Sequence, residues 1–109
     1  MAGKSLYIYK IQPVRQDMVS KGRTSEEDQI VGEHFSYLER MTKQGVVLLA
    51  GRTLTDDYSG FGIIIFEAES QQVAEKFVRN DPAVAQRVMR AELHPFRASL
   101  VGQPIPSAE

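Results

Sequence analysis

Residues 46–68 read VVLLAGRTLTDDYSGFGIIIFEA. Two apolar runs, 46–51 and 61–68, flank Arg52 and the polar stretch TLTDDYSG. Each run has the length and the β-branched content of a strand and is too short for an independent helix. TLTDDYSG carries turn formers, so the two runs read as a hairpin. Side chains alternate across a strand. Val46, Leu48 and Ala50 therefore oppose Val47 and Leu49, and Ile63 and Ile65 oppose Ile64 and Phe66. Both faces of this hairpin are apolar, and it needs cover on both.

Upstream, residues 24–44 carry a helix. Thr24 and Glu27 match a capping box, Glu26, Glu27 and Asp28 suit the positive end of the helix dipole, and Gly45 stands at C′. At about 100° per residue, Ile30, Val31, His34, Tyr37, Leu38 and Met41 share one stripe roughly 120° wide. His34 lies inside that stripe. Before the helix, 13–24 reads as a polar loop that is long for so small a domain. Residues 5–12, SLYIYKIQ, read as a strand ending at Pro13, with Leu6 and Ile8 opposing Tyr7, Tyr9 and Ile11.

Downstream, Ser70 caps a second helix with Val73, Ala74, Phe77 and Val78 on one side. Asn80-Asp81-Pro82 ends it, and a short helical turn follows over 83–86. Residues 88–97 make a last strand, which Pro95 places at a sheet edge or strand end. The order is β-α-β-β-α-β, a ferredoxin-like α+β plan with an antiparallel sheet and two main helices on one face. Three strands are apolar on both faces while helices cover only one. This predicts a homodimer, sheet against sheet. Residues 1–98 form the single domain, and 99–109 are a C-terminal tail with two prolines and no period.

The 109 residues suit one domain, and apolar content of 42% with charged content of 25% is ordinary for a soluble protein. A net charge of −1 with scattered Lys and Arg argues against nucleic acid and against an anionic membrane surface. No run approaches the ~20 apolar residues of a membrane span, and no signal peptide opens the chain, so a cytoplasmic location is expected. The absence of cysteine excludes a thiolate nucleophile and a zinc ribbon. The two histidines, His34 and His94, stand 60 residues apart with no metal-binding spacing, and no dinucleotide fingerprint is present. No metal and no cofactor are expected.

His34 is the first candidate for chemistry, because an imidazole exchanges protons near neutral pH. The plainer alternative is a half-buried histidine that satisfies a carbonyl. Asp81 before Pro82 fits an N-cap with proline at the first helical position. It also suits a carboxylate that orients His34, and the two roles are compatible because a carboxylate has two oxygens. Arg52, at a strand end, has the fork to bind a substrate carboxylate or phenolate, or is simply solvated there. Arg15 in the first loop is a weaker candidate of that kind. Ser59 could donate to a ligand but has no adjacent base. Tyr9, Tyr37 and Tyr58 could line a pocket, but tyrosines in so small a domain are usually core or interface. His94 shares a strand face with Arg90 and Glu92, a polar or interface position.

Four segments, TSEEDQIVGEHFSYLERM, VVLLAGRT, FGIIIFEAES and NDPAVAQRVMRAELHPF, resemble the YciI-like (YCII-related) family. The resemblance runs over roughly residues 6–97. It implies a dimeric α+β barrel, in agreement with the strand faces. It also implies an active-site dyad of a helix histidine and an aspartate before proline, here His34 and Asp81. One family member removes chloride from a chlorinated hydroxyhydroquinone, and related barrels isomerise muconolactones. The expectation is a cofactor-independent isomerase or lyase, of dehydrochlorinase type, acting on a small cyclic or phenolic acid. The alternative is a dimeric module that binds a small ligand without turnover, or has a structural role only.

Overall fold

The computed structural model describes residues 4–106. Four strands form one antiparallel sheet: β1 (Ser5–Pro13), β2 (Val47–Arg52), β3 (Gly62–Ala68) and β4 (Met89–Phe96), in the order β2-β3-β1-β4. The helices are α1 (Asp17–Lys21), α2 (Ser25–Lys43), α3 (Gln71–Arg79) and α4 (Pro82–Ala85). This is the ferredoxin-like plan, with β2 and β3 as the hairpin. β4 is an edge strand, where Pro95 opposite Tyr7 leaves no inner ladder bond unmade.

The predicted helix termini form. Thr24 and Glu27 complete a capping box, and Gly45 follows the helix with φ of +82°, a left-handed value that glycine adopts without strain. In contrast, residues 13–24 are not simply a loop. Met18 buries its side chain, and that contact winds 17–21 into a short helix.

One face of the sheet meets α2 and α3. Tyr7, Tyr9 and Ile11 of β1, Val47 of β2, and Ile64, Phe66 and Ala68 of β3 pack there against Tyr37, Leu38, Ala74 and Val78. Phe77 of α3 stacks on Phe66 at 4.5 Å between centroids, and Tyr9 meets Phe66 edge-on at 5.8 Å. Offset and edge arrangements of this kind contribute ~0.5–1.5 kcal/mol per pair beyond burial.

The strict alternation expected for β2 is broken. A bulge between Val47 and Leu49 inserts Leu48, so that Val47 pairs with Phe66 but Leu49 pairs with Ile65. Leu49 thereby joins the outer face rather than sharing the helix face with Val47, because one extra residue reverses every later side chain. The outer face carries Leu6, Ile8, Leu49, Ile63, Ile65 and Phe96, and no element of the chain covers it among the described residues. Toward β4 it turns polar, with Lys10, Glu92 and His94. The His94 imidazole lies 3.5 Å from Glu92, and both are exposed. The tail beyond β4 has no regular structure, and Leu100, Val101 and Ile105 are exposed. No helix of the described residues is long and apolar enough to cross a membrane.

Candidate active site

α2 presents Ile30, His34, Tyr37 and Leu38 to the interior, the stripe that helical periodicity predicts. Asp81 caps α4, which packs along α2. The two elements bring His34 Nδ1 to 2.7 Å and 2.9 Å from the two carboxylate oxygens of Asp81. Asp81 is fully buried and His34 retains 9% exposure.

A buried carboxylate is tolerable only if donors replace its water. Asp81 has three such donors. Its Oδ1 accepts from the Ala83 N–H at 2.9 Å, which is the helix cap. Its Oδ2 accepts from the Tyr9 hydroxyl at 2.8 Å. Both oxygens face His34 Nδ1. The cap and the pairing with histidine therefore coexist in one carboxylate.

This geometry selects the ring's tautomer. Nδ1 carries the hydrogen that Asp81 accepts, so in the neutral ring the lone pair is on Nε2. No hydrogen bond among the described residues engages Nε2. Among those residues no buried side-chain N or O atom lacks a partner, so Nε2 reaches solvent. The arrangement is an imidazole held at Nδ1 by a buried carboxylate, with Nε2 left without a partner among the described residues.

Tyr9 is a residue that sequence reading leaves between pocket and core, with no role toward Asp81. It is fully buried at the centre of β1. Burial and the Asp81 charge push its hydroxyl far above the ordinary phenol range, so it stays a donor. The signal available in the sequence is slight: a tyrosine on the helix face of a central strand must find a partner for its hydroxyl. Tyr37 is also pushed upward, by burial first and then by Asp81, and it donates to the Phe77 carbonyl at 2.8 Å. Gln86, just beyond α4, donates to Glu33 at 3.3 Å and ties that end of α4 to the helix residue before His34.

The other candidates do not gather on the pair. Arg15 donates to Glu27 through Nε at 2.9 Å and through its second nitrogen, and also to the Gly22 carbonyl. It braces the capping box of α2. That contact, with the Thr24 backbone N–H second, lowers the Glu27 carboxyl to about 2. Ser59 bonds to Asp57 within the hairpin turn. Arg52 ends β2, exposed, and borders a shallow apolar depression with Leu49, Phe61 and Ile63. That depression opens on the outer face of the sheet, away from the helix layer that holds the pair. Among the described residues no hydrogen bond or ion pair joins Arg52 to His34 or Asp81, and no three His, Asp or Glu side chains cluster as a metal site.

The fold and the site together define a class: ferredoxin-like α+β proteins with a buried histidine–aspartate pair between the helix layer and the sheet. More narrowly, the YCII-related domain matches residues 6–97, and the chain belongs to that family. No curated protein matches it in sequence. Among solved structures, it is similar to 5-chloro-2-hydroxyhydroquinone dehydrochlorinase of Burkholderia phenoliruptrix, in complex with 2,5-dihydroxybenzoquinone. The identity is 21%, the TM-score 0.63, and the match covers 84% of this chain and 93% of that one. It is also similar to an uncharacterised protein of Thermotoga maritima, at 10% identity and a TM-score of 0.55, over 87% of this chain and 100% of that one. At these identities the likeness establishes the fold.

Proposed function

We propose that this protein is a cofactor-independent enzyme of isomerase or lyase type, with His34 as general base and then general acid. One observation carries the reading: His34 Nδ1 is held by a fully buried carboxylate while Nε2 is left free. Nε2 takes a proton from an activated carbon of a small cyclic or phenolic acid. Asp81 keeps the ring in the required tautomer and balances the imidazolium that forms. In an isomerisation the proton returns to a different carbon. In an elimination an anion such as chloride departs. Acid–base help of this kind supplies ~10²–10⁴-fold, sufficient for a carbon acid that is already activated. The dehydrochlorinase with this fold, crystallised with a dihydroxybenzoquinone, supports a phenolic substrate class.

Arg52 makes no ion pair within the described chain but borders the outer-face depression, so it shares no cleft with His34 and is not the residue we assign to the substrate's anionic group. Arg15 and Ser59 have protein partners and would have to exchange them to serve a ligand. A second copy of the chain is the cover we assign to the outer sheet face, giving a homodimer through Leu49, Ile63, Ile65 and Ile8. A monomer at micromolar concentration in sedimentation overturns that assignment.

The test is a turnover screen with chlorinated hydroxyquinols and muconolactones, run on the native protein and on His34→Ala. Conversion lost in the variant supports the reading, and full turnover in His34→Ala removes it. Ligand binding that survives His34→Asn with no conversion by any form makes the protein a binding module instead.

A further inference from the structure

Asp81 buries a charge with no exposure at all, and it does so at a junction of three elements. α4 supplies the Ala83 N–H, α2 supplies His34, and β1 supplies the Tyr9 hydroxyl. The first contact is local and would hold any capping residue. The other two are long-range and compete for the same carboxylate. Of these, His34 is the group whose proton matters. Among the described residues Tyr9 is the only donor that reaches Asp81 from the sheet, and its ring is wedged between Phe66 and Phe77. Its position is therefore set by the core and not by the site.

We propose that Tyr9 is a positioning residue of the His34–Asp81 pair, whose hydroxyl fixes the carboxylate's orientation and sets how tightly His34 holds its proton. This rests on the proposed acid–base role of the pair. The physics is a sharing of charge. A hydroxyl donating to Oδ2 draws negative charge toward itself and away from His34 Nδ1. Without it, Asp81 has only the ring and one backbone N–H to stabilise its charge. The proton of the pair is then held more strongly, whichever of the two groups carries it. A hydrogen bond to a charged group is strong enough to matter here.

The titratable groups packed around the pair are few. Tyr37 lies on the same helix and is occupied by the Phe77 carbonyl. Glu33 precedes His34 but points outward to Gln29 and Gln86. Tyr9 comes from β1, and α3 brings no charged side chain into hydrogen-bond contact with the pair among the described residues. Tyr9 is thus the neighbour through which the fold adjusts the pair.

The experiment is the His34 ring titration by NMR in the native protein, Tyr9→Phe and Asp81→Asn, with His94→Gln to assign the second histidine. Tyr9→Phe keeps the ring that packs on Phe66 and Phe77 and removes only the hydroxyl. The expected result is a midpoint raised by about one pH unit in Tyr9→Phe. The acid limb of any turnover profile should move with it. If Tyr9→Phe does not fold, 3-fluorotyrosine placed at position 9 gives the opposite test: a stronger donor should lower the midpoint. An unchanged midpoint in either variant, while Asp81→Asn does shift it, overturns the role of Tyr9 and leaves the pair standing. A His34 titration indifferent to Asp81→Asn overturns both.

Discussion

Replacing Asp81 by asparagine removes one acceptor oxygen from a place where three buried donors converge. As a helix cap alone, asparagine is as good as aspartate, and the change should then cost almost nothing. The contacts predict otherwise. The substituted amide can keep its oxygen toward the Ala83 N–H, 2.9 Å from the native carboxylate, and its NH₂ then faces the Tyr9 hydroxyl and His34. Turned the other way, it keeps Tyr9 and sets the NH₂ against the Ala83 N–H. Each orientation leaves one buried donor without an acceptor, at about 1–3 kcal/mol, and replaces charged hydrogen bonds by neutral ones, at about 1 kcal/mol more. The sum is about 2–4 kcal/mol, or a fall in Tm of roughly 10–20 °C for a domain of this size. Such a loss is within the ~5–15 kcal/mol stability of a typical domain, so Asp81→Asn should fold.

The ring should respond as well. In the orientation that turns the NH₂ into the Oδ1 place, 2.7 Å from Nδ1, His34 accepts there and carries its hydrogen on Nε2, the tautomer whose Nε2 cannot take a proton. Its titration midpoint should also fall, since a carboxylate 2.7 Å away has been removed. Long-range proton–nitrogen correlation spectra read the tautomer directly, and urea unfolding reads the stability. A variant as stable as the native protein, with Nδ1 still protonated, would refute the reasoning and leave Asp81 as a cap. Adding Tyr9→Phe to Asp81→Asn should cost less than the two changes measured separately, because the hydroxyl that lost its acceptor is then absent.

Other outcomes follow from other parts of the molecule. Phe66→Ala empties the centre of the aromatic cluster, where Phe66 is fully buried, and should cost about 3–5 kcal/mol by chemical denaturation. Arg87 holds φ of +61° at the end of α4, where its N–H bonds to Val84 and the next N–H bonds to Ala83. Arg87→Gly relieves that left-handed conformation and should raise stability by about 1 kcal/mol, read as a higher Tm. The Glu27 carboxyl is held at about 2 by Arg15 against an ordinary value of 4.5. A depressed folded value means stabilisation that is present above the ordinary value and lost as pH falls toward 2. The Tm difference between native protein and Glu27→Gln should therefore be constant above about pH 5 and vanish near about pH 2. Ile65→Asp on the outer sheet face should give a folded monomer by sedimentation if a second copy covers that face.

The order of elements can be read from the chain because each signal is local. The capping box at Thr24, Gly45 after the helix, Pro95 at the edge and the two apolar runs of the hairpin all act within a few residues. His34 on the apolar stripe is visible for the same reason: helical periodicity needs no tertiary partner. Asp81 is legible as a cap, whereas its contact with His34 is expected from family resemblance and established by the fold. Three features lie beyond local reading. The bulge at Leu48 reverses Leu49 because β3 sets the register, and nothing within β2 announces it. The helix at 17–21 forms because Met18 finds a place in the interior. Tyr9 meets Asp81 across 72 positions of sequence. Propensity, capping and periodicity are properties of neighbours along the chain, while the proton affinity of a site belongs to groups that only folding brings within about 3 Å.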